Sequence, residues 1–247
     1  MTDVLDDYHA WQAYPQYRWI FNKLEVSLCL GYHAGPAGIP VQRTGYYIVR
    51  PVYNPYGMGI GAHKKWLTVD EQDDMANHKH IPPGYFWCEW FSGEHYSIDY
   101  KRVNDKWIPL NACQGFHKTE DNLTKFDYWR LIEPPTIELP EWVHDIDVIE
   151  LNIEFKGDKI TEIHLRSGND INLVGEIGDE IYPIWQGDDY SHLEHLEFIP
   201  NLSDDEEDYI TDDENGPIIV KSGGGYDPDD DKVTDTNGNT CLLYTSP

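Results

Sequence analysis

The sequence is poor in basic residues and has no long apolar run. Its 247 residues include 18 Lys and Arg against 45 Asp and Glu, which gives a formal net charge of −27 at pH 7. A field of that sign repels nucleic acid and anionic membrane surfaces, so neither is expected as a partner. No stretch is long and apolar enough to cross a bilayer, and the acidic N-terminus lacks the pattern of a secretory signal.

Cysteine is scarce as well. The chain has four cysteines, and no two of them are spaced as Cys-x-x-Cys. Free thiols in a reducing cytosol are the simplest interpretation, so we expect a cytoplasmic protein. Aromatic residues are plentiful by contrast, with 9 Trp, 17 Tyr and 7 Phe. They argue against wholesale disorder and can build a core in a chain of this length.

The acidic residues are concentrated towards the C-terminus. Residues 201–240 carry thirteen Asp and Glu and two Lys, which predicts a solvated acidic arm after a domain spanning residues 1–200. The segment PIIVK, residues 217–221, is the exception and can pair as an edge strand. The last seven residues, 241–247, read CLLYTSP and resemble the translation of a transposon end used in sequencing-library preparation. We expect them to be a fusion remnant.

Short strand-like segments and few helical ones predict an α+β fold. We expect a helix from Asn22 to Gly31 and treat residues 1–21 as aromatic and irregular. The segments GYYIVRPVY (residues 45–53) and GYFWCEWFSG (84–93) are rich in β-formers and predict strands. Two hairpins should turn at residues 104–105 and 157–158, and ELPEWVHDI allows at most two helical turns.

The second hairpin, IEFKGDKITEIHLR, places one carboxylate on each strand, Glu154 and Glu162. Residues directly across a hairpin have Cβ atoms about 5 Å apart, so two carboxylates on one face repel each other unless a cation lies between them. Carboxylate oxygens are the hard ligands that Mg²⁺ requires. The alternative is a surface hairpin with two solvated glutamates, each paired with a lysine such as Lys156 or Lys159.

Five segments between Asn22 and Asp170 follow an order that resembles the ATP-grasp superfamily, whose members include ATP-dependent carboxylate–amine and carboxylate–thiol ligases. No single segment is specific, so their order carries the resemblance. It implies two small α+β subdomains with antiparallel sheets that clamp ATP and Mg²⁺. It also implies phosphoryl transfer to an unidentified small-molecule carboxylate, then attack on the acyl-phosphate by an amine or thiol.

The resemblance assigns the ATP phosphates to two cations and a glycine-rich loop. Lys23 occupies the place of a phosphate-binding lysine, and Arg50 in YYIVRP stands where the family usually has lysine; both charges suit phosphate. The loop NPYGMGIGA would close over the phosphates through backbone amides at three glycines, Gly57, Gly59 and Gly61. An exposed lysine, a strand-end arginine and a plain hairpin loop are the structural alternatives.

The segment YFWCEWFSGEHYSIDY resembles the hinge that binds the nucleoside. The resemblance implies adenine contacts from Glu89, Trp90 and Phe91, for which ordinary core packing is the alternative. Glu94 is the expected ribose ligand because a carboxylate accepts two hydroxyl bonds well, although His95 falls at that position by direct register.

The final hairpin resembles the family's metal-binding hairpin, with Glu154 and Glu162 as Mg²⁺ ligands. His164 stands where the family has Asn, and an imidazole suits transition metals better than Mg²⁺. Asn169 or water is the alternative source of the third oxygen. Arg166 matches a catalytic arginine that contacts phosphate or the acyl-phosphate.

Several functions stay open. Only about twenty residues precede Lys23, so the family's substrate residues have no counterparts here. The substitutions at the positions of Arg50 and His164 favour a nucleotide-binding module that has lost catalysis. A structural or interaction protein, for example a viral one, is the third possibility. The sequence does not indicate an oligomeric state.

Overall fold

A computed structural model of the chain describes residues 6–53, 59–69, 81–117, 123, 126–168, 176–184, 197–198 and 218–222. In these ranges three α-helices, one 3-10 helix and twelve strands form an α+β fold with two antiparallel sheets, as the sequence predicts. No helix in the described part of the chain is long and apolar enough to span a membrane.

Three helices come first in the described chain, followed by the strands of the four-stranded sheet and then those of the eight-stranded sheet, among which one further helix lies. The helices are α1 (Asp7–Ala13), a 3-10 helix (Pro15–Phe21), α2 (Lys23–Cys29) and α3 (Glu141–His144). The strands are β1 (Ala34–Pro36), β2 (Gly45–Pro51), β3 (His63–Leu67), β4 (Tyr85–Glu89), β5 (His95–Val103), β6 (Lys106–Phe116), β7 (Tyr128–Ile132), β8 (Glu150–Lys156), β9 (Lys159–His164), β10 (Glu180–Ile184), β11 (Glu197–Phe198) and β12 (Ile218–Ser222).

Residues 6–21 are mostly helical, so the expectation that this region is irregular is wrong for them; residues 1–5 lie outside the described residues. Asp6 caps α1 by accepting a 2.7 Å hydrogen bond from the His9 amide, and Pro15 begins the 3-10 helix. Both helices have seven residues, too few to show a clear hydrophobic period. They are held by tertiary packing, because Ala10 and Ile20 are buried in the core.

The four-stranded sheet has the order β1-β4-β2-β3 and its own small core. Tyr47, Val49, Leu67 and Trp87 are buried there, on strands whose aromatic and β-branched residues favour extended backbone. Helix α2 begins beside this sheet, because the Lys23 amide donates to the Val52 carbonyl at 2.9 Å. The start of α2 and the end of β2 therefore lie together.

The eight-stranded sheet has the order β11-β12-β10-β7-β6-β5-β8-β9. Apolar residues of β5, β8 and β9 alternate towards a core that the helices cover, and its buried members include Ile98, Ile153, Phe155, Val143 and Ile146. Both hairpins turn where the sequence predicts. Alternation places the intervening residues of these strands on the opposite face, where the polar residues gather.

The acidic arm contributes one strand to this sheet. Strand β12 pairs with β10 and with β11, so the pairing expected of PIIVK is observed. Its expected position at an edge is wrong, because β12 lies between two other strands. A boundary at residue 200 falls between β11 and β12. The rest of the arm and residues 241–247 lie outside the described residues.

Two glycines meet where the chain passes from one sheet to the other. Gly93, between β4 and β5, has a φ of 119°, and a Cβ on it would lie 2.9 Å from the Gly157 Cα. Gly157 is in the turn between β8 and β9, with a φ of 63°. Its amide donates to the Glu94 carbonyl at 2.7 Å. The connection between the sheets is therefore in backbone contact with the turn of the final hairpin.

The turn between β5 and β6 generates a stability prediction. Asn104 and Asp105 have φ values of 50° and 61°, a conformation that costs residues with a Cβ free energy. We expect Asp105→Gly to raise the free energy of unfolding by about 0.5–1 kcal/mol in urea denaturation. Asp158→Gly is the matched control, because Asp158 lacks a positive φ and glycine there should lower stability. Stabilisation by the control, or none by Asp105→Gly, would contradict this account.

Candidate functional site

Two glutamates and a histidine converge on the polar face of the final hairpin. Glu154 of β8 and Glu162 of β9 are direct register partners, and His164 follows two residues later on the same face. Ligand atoms of the three side chains all lie within 4.8 Å of one another. A register shift that skips Thr161 brings the two carboxylates opposite each other, as the sequence analysis expected, whereas Lys159 pairs with Asp158 instead. The metal role of these residues stays a prediction.

Two basic side chains from α2 and β2 form ion pairs with one of these carboxylates. The Lys23 Nζ lies 2.5 Å and the Arg50 Nη1 3.0 Å from the same oxygen, Oε1 of Glu162. The Arg50 Nη2 also donates to the Thr161 carbonyl at 2.7 Å. Lys23 begins α2 and Arg50 lies on β2, so Glu162 joins the four-stranded sheet to the eight-stranded one. All three side chains are at most 14% exposed.

The other oxygens of the two glutamates face imidazole nitrogens. The Nε2 of His164 lies 3.7 Å from Glu162 Oε2 and 3.8 Å from Glu154 Oε1. The remaining oxygen of Glu154 is 3.6 Å from the Nε2 of His95, which has no hydrogen-bond partner among the described residues. Each carboxylate thus has one oxygen directed at His164 and one directed at another neighbour.

Asp7, the first residue of α1, is the member of this cluster that sequence reasoning missed. Its two oxygens lie 3.1 and 3.0 Å from the His164 Nδ1, and Oδ1 lies 2.9 Å from the Arg166 Nε. The contact joins residues 157 positions apart. The local signal was an acidic pair, Asp6 and Asp7, at a helix start. Arg166, the expected catalytic arginine, is therefore engaged in an ion pair.

The protonation of the cluster follows from burial and from these contacts. Burial alone would raise the pKa of Asp7, but the charges of His164 and Arg166 outweigh it and hold that pKa below its usual range. Burial would lower the pKa of His164, yet Asp7 and Glu154 raise it to about 10. Burial lowers the pKa of His95 to about 4, so that ring is neutral at pH 7.

A buried hydrogen-bond network fixes the segment that follows β9. Asp99 Oδ1 accepts from the Asn152 side chain at 2.8 Å and from the Gly168 amide at 2.7 Å. The Asn152 amide also donates to Ser97 Oγ at 2.9 Å. These partners hold the backbone of residues 166–168 beside the sheet, next to the Asp7–Arg166 pair. The network was not expected from the sequence, because its partners lie 53 to 69 residues apart.

The segment predicted to bind the nucleoside lies at and after the end of β4, and its polar groups have intramolecular partners. The Glu89 carboxylate accepts from the His33 amide at 2.8 Å, and the Trp90 amide donates to the Tyr46 carbonyl at 3.1 Å. The Phe91 ring contacts that of Tyr32, with centroids 4.7 Å apart.

The expected ribose and loop residues have contacts of their own. Glu94 is exposed and accepts a hydrogen bond from the hydroxyl of Tyr96. Gly59 and Gly61 form the turn before β3, with φ values of 59° and 80°. The remaining expected residues, Gly57 and Asn169, lie outside the described residues.

No protein-family model matches the sequence, and no curated protein matches it. Solved structures do. The chain is similar to a putative ATP-grasp superfamily protein from Archaeoglobus fulgidus, with a TM-score of 0.42 and 14% identity over 83% of this chain and 65% of that one. It is also similar to an L-amino acid ligase from Bacillus licheniformis, with a TM-score of 0.43 and 13% identity over 62% of this chain and 42% of that one.

A third similar structure is N5-carboxyaminoimidazole synthetase from Staphylococcus aureus, which was solved with ADP. Its TM-score is 0.41 and its identity 14%, over 67% of this chain and 57% of that one. The chain thus spans between 42 and 65% of the length of these three structures. The function of the site is therefore inferred from its own geometry.

The shared carboxylate generates a second stability prediction. Because Glu162 neutralises two nearly buried cations, we expect Glu162→Gln to lower the free energy of unfolding by about 3 kcal/mol. Glu180→Gln is the control, since Glu180 pairs with the half-exposed Arg130, and it should cost under about 1 kcal/mol. Urea denaturation measures both. Equal effects would show that the cluster does not join the sheets.

Proposed function

We propose that the chain binds ATP with a divalent cation between its two sheets. The supporting observation is the convergence of Lys23 and Arg50, from α2 and β2, on the carboxylates of β8 and β9. In this proposal the two cations contact the phosphates, and Glu154 and Glu162 hold the metal ion.

The charges of the cluster suit an anionic ligand. Three basic side chains, Lys23, Arg50 and Arg166, face three carboxylates in a chain whose net charge is −27. His164 adds a further positive charge while it is protonated. The cluster is therefore a locally neutral-to-positive region on a strongly acidic protein. Arginine's planar fork and lysine's mobile ammonium are both effective phosphate ligands.

The two glutamates also suit Mg²⁺ chemically, because each offers a hard oxygen and these oxygens lie within 4.8 Å of each other. The imidazole of His164 is not a typical Mg²⁺ ligand. A divalent cation on the phosphates neutralises the charge that develops during phosphoryl transfer.

The finer proposal is an ATP-dependent ligase that phosphorylates a small-molecule carboxylate and passes the acyl group to an amine or thiol. Phosphate contacts would come from Lys23, Arg50 and the glycine-rich loop, and Arg166 would neutralise the acyl-phosphate. The base and ribose would lie against the hinge. The loop residues assigned to phosphate contacts are Gly57, Gly59 and Gly61. The hinge residues assigned to the base and ribose are Glu89, Trp90, Phe91 and Glu94, and Asn169 is the alternative metal ligand.

A second candidate function is nucleotide binding without catalysis. The observation that favours it is the Asp7–Arg166 ion pair, which occupies the arginine that the ligase mechanism needs. Under this proposal Asp7 keeps Arg166 away from the reacting group. Measuring turnover separates the two candidates.

The first test is thermal unfolding of the full chain with ATP, with and without Mg²⁺. We expect stabilisation that requires both, reaching about 2.7 kcal/mol when ligand exceeds its dissociation constant a hundredfold. GTP serves as the comparison nucleotide. No shift with any nucleotide would support a structural or interaction protein. A shift without ATP hydrolysis in the presence of mixed amino acids would favour the binding module.

The second test compares two arginines that each pair with a glutamate. Arg50→Met keeps the aliphatic stem but removes the phosphate-facing charge, so we expect ATP to bind roughly ten- to a hundredfold more weakly by calorimetry. Arg130→Met is the control, because Arg130 pairs with Glu180 on β10, away from the cluster. Circular dichroism establishes that both variants are folded. Equal ATP affinities would place the nucleotide elsewhere.

A further inference from the structure

We propose that Glu154, Glu162 and His164 form a site for a first-row transition-metal dication, with Zn²⁺ preferred over Mg²⁺ and Asp7 as the positioning residue. The inference deepens the proposed function and rests on it for the site's purpose, since it names the class of metal at the same carboxylates. Metal binding in the absence of nucleotide tests it separately.

The donor atoms face one another in the arrangement that such an ion requires. Nε2 of His164 lies 3.8 Å from Glu154 Oε1 and 3.7 Å from Glu162 Oε2. In a tetrahedral zinc site with bonds near 2.0–2.1 Å, neighbouring ligand atoms are about 3.3–3.4 Å apart. The two nitrogen–oxygen distances would therefore have to shorten by a few tenths of an ångström, and the two glutamate oxygens, which lie within 4.8 Å of each other, would have to close around the ion. The proton on Nε2 of His164 would leave to solvent when the metal binds.

The glutamates are oriented by contacts on their outer oxygens. Lys23 and Arg50 contact Oε1 of Glu162, which leaves Oε2 directed at His164. The outer oxygen of Glu154 lies near the buried His95 Nε2, an atom without a hydrogen-bond partner among the described residues. Each glutamate can thus give one oxygen to a metal while the other keeps its present neighbour.

The histidine is oriented in the same way. Asp7 contacts the Nδ1 of His164 through both oxygens, at 3.0 and 3.1 Å, so Nε2 is the nitrogen left to face the glutamates. Metal-binding histidines usually donate their other ring N–H to a carboxylate, which fixes the tautomer and the ring orientation. Arg166 in turn contacts Asp7 Oδ1 at 2.9 Å and holds that carboxylate in place.

The donor set determines the class of metal. Mg²⁺ prefers six oxygens and retains water, whereas an imidazole with two carboxylates suits the later first-row dications. Three protein ligands with one open position are also the arrangement of catalytic zinc sites. A phosphate oxygen or water can take that fourth position.

The test is calorimetry of the metal-free full chain with ZnCl₂, MnCl₂ and MgCl₂, without nucleotide. We expect one Zn²⁺ to bind at least a hundredfold more tightly than Mg²⁺. His164→Asn replaces the nitrogen donor by oxygen and should lose most of that preference. His63→Asn is the control, because His63 is exposed on β3 and should leave Zn²⁺ binding unchanged. Equal Zn²⁺ binding by parent and His164→Asn would overturn the proposal and identify adventitious surface sites.

The positioning role of Asp7 needs a readout that a loss of stability would not produce. We expect Asp7→Asn to bind Zn²⁺ with unchanged stoichiometry but about 10- to 100-fold more weakly. The visible absorption spectrum of bound Co²⁺ should shift as well, because the ligand field of the imidazole changes. An unchanged affinity and an unchanged Co²⁺ spectrum in folded Asp7→Asn would overturn the role of Asp7.

The two proposals fail in different ways. If Zn²⁺ shows no preference over Mg²⁺ but ATP with Mg²⁺ stabilises the protein, the transition-metal site is wrong and the nucleotide site stands. If Zn²⁺ binds in a His164-dependent way but no nucleotide stabilises the chain, the metal site stands and the proposed function is wrong. If neither binds, the buried groups form an ion-pair cluster only, which overturns both.

Discussion

The Glu162 carboxylate, shared between Lys23 and Arg50, is the contact on which the site depends. One of its oxygens lies within 3.0 Å of a nitrogen from each cation, so it joins α2 and β2 to β9. A charge taken out of water is costly unless it is paired and hydrogen-bonded. The two sheets can approach closely at this point because the charges of Lys23, Arg50 and Glu162 compensate one another there. The approach also places the cations of one sheet beside the carboxylates of the other.

The same logic extends along the cluster. Glu154 lies between His95 and His164, His164 lies between the glutamates and Asp7, and Asp7 also contacts Arg166. From Glu154 to Arg166, opposite charges alternate through a region that is mostly buried, and the neutral His95 lies at its end. Removing one member leaves its neighbours uncompensated, so substitutions here should be non-additive.

The locally encoded features could be predicted from the sequence, and the distant contacts could not. A two-residue turn fixes the first pairs of the final hairpin, Lys156 with Lys159 and Phe155 with Ile160, and would by itself pair Glu154 with Thr161. A register shift skips Thr161 and pairs Glu154 with Glu162 instead, so the sequence predicted the hairpin but not the irregularity on which the glutamate pair depends. Asn22 likewise marks the start of α2. Nothing local shows that Asp7 reaches His164, or that Asp99 holds Gly168. The helices before residue 22 are too short to show a hydrophobic period in the sequence. The interior position of β12 depends on pairing with strands that its own sequence does not specify.

The meeting of Gly93 with Gly157 has a mechanical consequence. At this point main chain lies directly on main chain, because a side chain on Gly93 would collide with the turn of the final hairpin. Side-chain rotamers can absorb small displacements, whereas two backbones in contact cannot. The segment that connects the two sheets is therefore in rigid backbone contact with the hairpin that carries the carboxylates. A tilt of either sheet about this contact would therefore move the face of the hairpin that carries Glu154 and Glu162.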